Sequence, residues 1–405
     1  MEEKTKLPVI TASFIILGNC LGVGVLALPV KYGLAGFVPA LIGIFLAWFV
    51  MMMSAFVIAY RISQARSDTF DIPWFFRKEL GTTGKWLAIA CNLILLYGVL
   101  TAYLSGMSTM IDRLFHLPLT KHQITVIYFA LTTSLVLFGV KAYRKGNALL
   151  IGAIWICFIL LVVTGVNRFT PELLTGTDWR CFPIGLPIAV SAFHFHNIIP
   201  TISRTLRHDF KATRKAIFIG IFLGLIINVI WVTIVLGTLP RSGTEKYTIE
   251  KSYWHELPAN VPMSELLGSR VFLAAGFIFA ILSVTASYMA NGTGLHGFIR
   301  NLTNTYLKTD NKVLIGLIAF LPPLIVALIY PDIFLSALDI VGGVGESVLF
   351  VALPGLILTR VARNRYRVLV IIGYLMFITG CLITAYAVAD KIGLIDLVPP
   401  FPSSS

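Results

Sequence analysis

Charge is what this sequence has least of. Asp, Glu, Lys and Arg supply 13% of its 405 residues, where soluble domains carry about 25%. A large solvated globule is excluded on that ground. The charges are also kept out of the apolar runs. None interrupts 7–30, 32–60, 86–111, 122–140, 146–167, 181–203, 216–240, 271–299, 313–331 or 368–389. An eleventh run, 333–359, contains only Asp339 and Glu346. Each is long enough to cross a hydrocarbon core of roughly 30 Å at about 1.5 Å per residue. Lipid satisfies no backbone N–H or C=O group, so runs of this length must be helices. The expected fold class is an all-α integral membrane protein with 11 transmembrane helices.

Other absences narrow the chemistry. The five cysteines, at 20, 91, 157, 181 and 381, lie in or beside apolar runs, and no C-x-x-C occurs. They read as small apolar residues rather than a disulfide framework or a metal site. There is no H-E-x-x-H and no G-x-S-x-G, so the common hydrolase signatures are missing. The first apolar run is too long for a signal peptide, and Gly18, Asn19, Gly22 and Gly24 break it where a cleavage site would end it.

What charge there is carries information. The formal net charge of +13 could suggest nucleic acid, but its distribution suggests orientation instead. Counting from a cytoplasmic N-terminus, 22 of the 32 basic residues fall on alternate, inner loops. The positive-inside rule then places the N-terminus in the cytoplasm and, after eleven spans, the C-terminus outside. Among the inner segments, 203–215 is basic enough to form a brief helix on the membrane surface. The largest outer segment, about 240–268, reads as either a short lid or a connector. The tail VPPFPSSS reads as disordered.

Two spans differ from the rest. The first contains GNCLGVGVLALP (18–29), with three glycines in seven residues and then a proline. The sixth contains SAFHFHNIIP (191–200), with two histidines, an asparagine and a proline in ten. Five spans separate them. Interrupted helices at corresponding places of two halves point to a secondary transporter with inverted repeats. A five-helix unit used twice gives repeat one at about 8–167, repeat two at about 181–359, and an extra helix at about 368–389.

The breaks supply the candidate site. Glycine lowers the cost of leaving helical dihedrals, and unwinding frees backbone groups that a zwitterionic amino acid can satisfy. Gly18, Asn19, Cys20, Gly22, Val23 and Gly24 are therefore substrate-binding candidates. The competing reading is that Gly18 and Gly22 form a close-packing G-x-x-x-G. In span six the candidates are Phe193, His194, Phe195, His196 and Asn197. On a regular helix, positions two apart point about 200° away from each other, so the two histidines could not share a ligand. This weakens any metal reading, and no metal is expected. If the segment is unwound, both histidines could border one cavity. Imidazole changes charge near neutral pH, and ionisable groups inside a membrane are costly enough to suggest function.

Further polar residues lie within spans. Asp339 and Glu346 are seven apart, hence on roughly one face of a helix. Ser283, Thr285, Ser287 and Asn291 offer oxygens to a sodium ion or, more simply, to carbonyls of their own helix. Tyr97 and Tyr103 in span three could cover a bound substrate.

At these residues the sequence resembles the hydroxy/aromatic amino acid permeases, the tyrosine/tryptophan branch of the amino acid–polyamine–organocation superfamily, over essentially its whole length. GNCLGVGVLALP is similar to that family's G-x-x-I-G-A-G-[MV]-L-A-[LV]-P. AFHFHNIIPTI is similar to S-F-G-F-[HQ]-x-x-I-P-[ST], and YPDIFLSALDIVGGVG to Y-P-[ED]-x-[FIV] followed by a G-G pair. The resemblance implies a leucine-transporter-type 5+5 inverted repeat and proton-coupled uptake of aromatic or hydroxy amino acids. His194 stands where the family usually has glycine, Asn197 replaces a small residue, and Asn19 and Cys20 replace small or hydroxyl residues.

The expected function is therefore a secondary active transporter of the inner membrane, not an enzyme. It would take up an aromatic amino acid with protons by alternating access. Coupling-ion candidates are His196, Glu346, Asp339, Ser283 and Thr285. No cofactor is expected; the coupling ion is H+, with Na+ the alternative. The expected partners are a small-molecule amino acid and membrane lipid, with no nucleic acid, and nothing in the sequence speaks to oligomeric state. Alternatives are a serine/threonine or other neutral amino acid symporter, a passive channel, and an intramembrane enzyme or receptor using the His194/His196 pair.

Overall fold

The computed structural model describes residues 8–20, 22–65, 72–115, 117–138, 140–363 and 366–398. Lys4, Lys6, Arg66, Arg365 and most of the tail VPPFPSSS lie outside the described residues, as do the side chains of Val23 and of 139–151. The apolar runs become helices: α1 Val9–Cys20, α2 Val23–Gly33, α3 Phe37–Ala65, α4 Ile72–Phe115, α5 Lys121–Phe138 and α6 Val140–Gly165. After them come α7 Leu186–Ala192, α8 Ile199–Thr205, α9 Phe210–Leu236, α10 Ile249–Trp254, α11 Asn260–Leu267 and α12 Arg270–Leu302. The chain closes with α13 Lys312–Ile329, α14 Phe334–Ile340, a π-helical segment Val341–Ala352, α15 Leu353–Ala362 and α16 Arg367–Lys391.

Among the described residues, eight helices are long and apolar enough to cross a membrane, or nine if the bent pair of the first span counts as one. Helices α5 and α6 occupy the places expected of spans four and five without meeting that standard. In α5 the reason is its first turn, Lys121-His122-Gln123, which dilutes an 18-residue helix.

Both anticipated breaks are present. The first-span pair, Val9–Cys20 and Gly24–Gly33, is bent by 54°. In span six, α7 stops at Ala192; Phe193 (φ −110°, ψ 27°) and Phe195 (φ −156°, ψ 6°) leave helical dihedrals. The chain re-enters a helix through one 3-10 turn, His196–Ile198, and Pro200 sits in the first turn of α8. Proline is tolerated there because that N–H has no intrahelical acceptor.

The bundle is assembled around these two broken spans. Helix α1 runs along α9, α2 against α7, and the π-helical segment against α4, α7 and α16. The π-helix has a sequence cause in VGGVG. A Cβ at Gly342 would stand 1.9 Å from the carbonyl oxygen of Pro187, so only glycine lets this segment close onto α7. Its i→i+5 register is visible in Ser347, whose hydroxyl donates to Gly342 O at 2.6 Å.

Two expectations are corrected here. Segment 203–215 is not a surface helix. It comprises the end of α8, a turn with Arg207 and His208 both at φ 57°, and the first turn of α9, N-capped by Asp209. Asp339 and Glu346 do not share a face, because π-helical winding between them advances fewer degrees per residue than the α-helix assumed. The 240–268 segment is docked into the bundle: Ala259 N–H donates to Leu26 O at 2.9 Å, and Glu256 caps α14 through Ser336 N–H at 2.9 Å and the Ser336 hydroxyl at 2.7 Å.

Tyr97 belongs to this scaffold. Pro322 lacks the N–H that would bond Ile318 O four residues earlier, and the Tyr97 hydroxyl donates to that carbonyl at 2.8 Å. Replacing it, Tyr97→Phe, leaves the carbonyl unpaired in an apolar setting, a cost of about 1–3 kcal/mol. The variant is expected to melt at lower temperature in detergent with its substrate affinity unchanged. A wild-type melting temperature would show that the bond is not needed.

Candidate substrate-binding site

The two breaks face each other. A Cβ at Gly24 would lie 3.1 Å from Ala192 Cα, so the start of α2 rests directly on the end of α7. A cavity opens beside this contact. It is bordered by Asn19, Cys20, Gly22 and Gly24 of the first break, by Ser191, His194 and Asn197 of the second, and by Glu346. Helix α4 contributes Val99 and Tyr103, and α12 contributes Ser287, Ala290 and Asn291. Leu338 of α14 completes the lining.

Its centre is a buried pair. His194 Nδ1 and Glu346 Oε1 are 2.5 Å apart, and the Glu346 side chain is 1% exposed. Four polar atoms around the cavity have no partner among the described residues: Ser191 Oγ, His194 Nε2, Asn291 Oδ1 and Glu346 Oε2. Buried polar groups are normally bonded to protein or water, so this convergence marks a place meant to be filled. The cavity volume is about 40 Å3, room for a few waters.

The remaining sequence candidates lie elsewhere. Phe193 and Phe195 are fully buried in the core. His196 is stacked on Phe350, centroids 4.6 Å apart, while His194 meets the same ring edge-on at 5.4 Å. Phe350 thus separates the two histidines, and only His194 borders the cavity. Gly18 has nothing within 4 Å of a Cβ position, so it makes no close G-x-x-x-G contact. The backbone of Val23 opens α2. Ser283 bonds its own helix at Ala280 O, 3.4 Å away, whereas Thr285 meets Tyr128 Oη at 3.1 Å. The two hydroxyls thus bond to different helices.

Asp339 is held apart from Glu346 by its own partners. Lys31 Nζ lies 2.6 Å from Asp339 Oδ2, and Lys391 Nζ lies 3.2 Å from the same oxygen. Lys31 also stands over the Tyr253 ring at 4.4 Å. This cluster ties α2 to α14, α16 and the docked 240–268 segment. Asp339 thus sits between two lysines, away from the His194–Glu346 pair.

Some lining residues had a faint signal in the sequence. Ser287 and Asn291 stand at i and i+4 and so share a helix face, and Tyr103 carries a hydroxyl in an apolar run. Val99, Ala290 and Leu338 carry no signal at all in such runs.

Over residues 5–389 the sequence matches the tryptophan/tyrosine permease family. It is 25% identical over 334 residues to the tyrosine-specific transport system 1 of Haemophilus influenzae, covering 82% of this chain and 83% of that protein. The tryptophan-specific transport protein of Pseudomonas aeruginosa is 23% identical over 372 residues, covering 87% and 86%. Among solved structures, a manganese transporter of Eremococcus coleocola, crystallised with an aromatic bis-isothiourea substituted compound, superposes with a TM-score of 0.59. That superposition covers 96% of this chain and 87% of the other at 14% identity, a likeness of fold alone.

Proposed function

Because the chain belongs to the tryptophan/tyrosine permease family, whose members are transporters and not enzymes, we propose that it takes up an aromatic amino acid, tyrosine foremost, together with protons. The observation that carries this reading is the cavity between the two facing breaks, with its four unpartnered polar atoms. The α2 N-terminus, at Gly22 and Gly24, offers free N–H groups and a positive dipole end to the substrate carboxylate. Carbonyls at the ends of α1 and α7 receive the ammonium. The aromatic side chain then points toward Tyr103, Asn291 and the His194–Glu346 pair.

His194 and Glu346 carry the proton in this reading. A hydrogen lies between Nδ1 and Oε1, and Nε2 is the free position where another is gained or lost. A net negative pair inside a membrane is expensive, and protonation of the imidazole neutralises it. Closing the cavity is therefore favoured once the proton is bound. His196, walled off by Phe350, is assigned no contact with substrate.

Movement follows the 5+5 scheme, with eleven spans, repeats at about 8–167 and 181–359, and the helix at 368–389 appended. The N-terminus is cytoplasmic in the cytoplasmic membrane, on the distribution of basic residues. Rocking of the broken spans against the rest opens the site to each side in turn. Opening at the Lys31 end requires Lys31 to leave Asp339; Lys391 remains to balance that carboxylate.

Proteoliposomes holding the purified protein test the reading. Radiolabelled tyrosine is expected to accumulate when the inside is made alkaline, with sodium absent. Accumulation that follows a sodium gradient and ignores the imposed pH gradient would overturn proton coupling. Flux without accumulation would reduce the protein to a passive pore.

A further inference from the structure

A second cavity, apolar in its lining, has a charged and aromatic mouth. It holds about 340 Å3 and is lined by Trp86, Ile89, Leu93 and Tyr97 of α4, by Leu302 and Tyr306 beyond α12, and by neighbours of the same kind. A further apolar groove of about 360 Å3 continues from Leu93 and Tyr97 toward Pro323 and Val326. At the mouth, the rings of Trp86 and Tyr306 lie 5.4 Å apart. Lys85 Nζ sits over both, 5.3 Å from the first centroid and 5.2 Å from the second.

We propose that this groove binds one anionic phospholipid, its phosphate at Lys85 and an acyl chain along Ile89, Leu93 and Tyr97. Three observations support that occupant. Helix α4 rises about 1.5 Å per residue, so Trp86 to Tyr97 spans roughly 16 Å, close to half of a hydrocarbon core of roughly 30 Å. The groove is thus one leaflet deep, which suits a lipid chain. Trp and Tyr at its mouth sit where amphipathic rings mark the headgroup level. The charge at the mouth is positive. Lys85 has no carboxylate partner among the described residues, the lining residue Leu307 is followed by Lys308, and Lys312 opens α13. Asp310, the acidic residue nearby in sequence, is taken by Arg300, with two bonds of 2.6 Å. A neutral lipid fills the same apolar length but has no net charge to meet Lys85.

Native mass spectrometry of the full-length protein, washed and then offered phosphatidylglycerol and phosphatidylcholine of equal chain length in equal amounts, tests the site. Wild-type protein is expected to retain phosphatidylglycerol over phosphatidylcholine by about fivefold more than Lys85→Gln, the worth of one lysine beside an anionic lipid. Lys85→Arg should keep the preference. Leu93→Trp, which fills the groove where the two cavities meet, should lower retention of both lipids. Lys85 is half-buried at the groove mouth and Gln is close to it in length, so Lys85→Gln is expected to fold whether or not Leu93→Trp does. An unchanged preference in Lys85→Gln would overturn the headgroup assignment and with it the proposal.

Discussion

Glu346→Gln is expected to abolish accumulation of tyrosine driven by a pH gradient while leaving exchange of internal for external tyrosine largely intact. The substitution keeps the size of the side chain and a hydrogen bond to His194 Nδ1, now 2.5 Å from Glu346 Oε1. It removes the charge. Removing one member of a buried pair outright costs about 3–5 kcal/mol, because the other is left uncompensated; an amide avoids most of that, since it keeps a hydrogen-bond partner for the ring. Net uptake requires a proton to be carried in and released, whereas exchange requires only that the loaded carrier reorient. The expected loss of gradient-driven uptake is therefore at least about 10-fold, the consequence of roughly 1.4 kcal/mol in coupling, against a change of a few-fold in exchange. Wild-type dependence on the pH gradient in Glu346→Gln would remove this carboxylate from the coupling step. Loss of exchange as well would assign it to substrate binding instead.

Discrimination between tyrosine and phenylalanine has the second largest expected effect. In the proposed pose the main-chain groups of the substrate are held at the helix breaks, so the unpartnered atoms of His194, Glu346 and Asn291 remain for the side chain. A phenol gives one of them a donor or an acceptor. Phenylalanine leaves them unpaired in a closed cavity, at about 1–3 kcal/mol for each buried group. Competition against labelled tyrosine is accordingly expected to need roughly 10- to 100-fold more phenylalanine than unlabelled tyrosine. In His194→Gly that ratio should narrow by several-fold, because the variant removes the imidazole that phenylalanine would strand. Equal competition by the two amino acids in the wild-type protein would show that the polar atoms serve the proton alone. An unchanged ratio in His194→Gly would place the recognition of the phenol on Asn291 or Tyr103.

Much of the cavity lining was readable from local features, and what was readable follows one rule. A break announces itself in the residues that make it. Gly22 and Gly24 relax the first span, and Pro200 can begin α8 but not continue α7. The polar side chains stranded beside such a break, Asn19, His194 and Asn197, then stand out from an apolar background. What was not readable lies on unbroken helices. Val99, Ala290 and Leu338 are ordinary apolar residues whose position depends on how α4, α12 and α14 are turned about their axes. Tyr97 and Tyr103 looked alike in sequence. One bonds Ile318 O and the other borders the cavity, because Pro322 in α13 lacks the N–H that would otherwise take that carbonyl.

The sequence alone determined the class of protein and the order of its helices, because membrane helices are set by hydropathy and by the need to satisfy every backbone group within its own segment. It also determined where two of them come apart. Which charges meet was decided only by the tertiary structure. Asp339 and Glu346 belong to one run and read as one face. Yet the π-helical winding sends the carboxylate of Glu346 to His194, while that of Asp339 binds Lys31, 308 positions away in the chain. That winding rests on Gly342 against the Pro187 carbonyl, a contact between distant segments that no periodicity within either of them encodes.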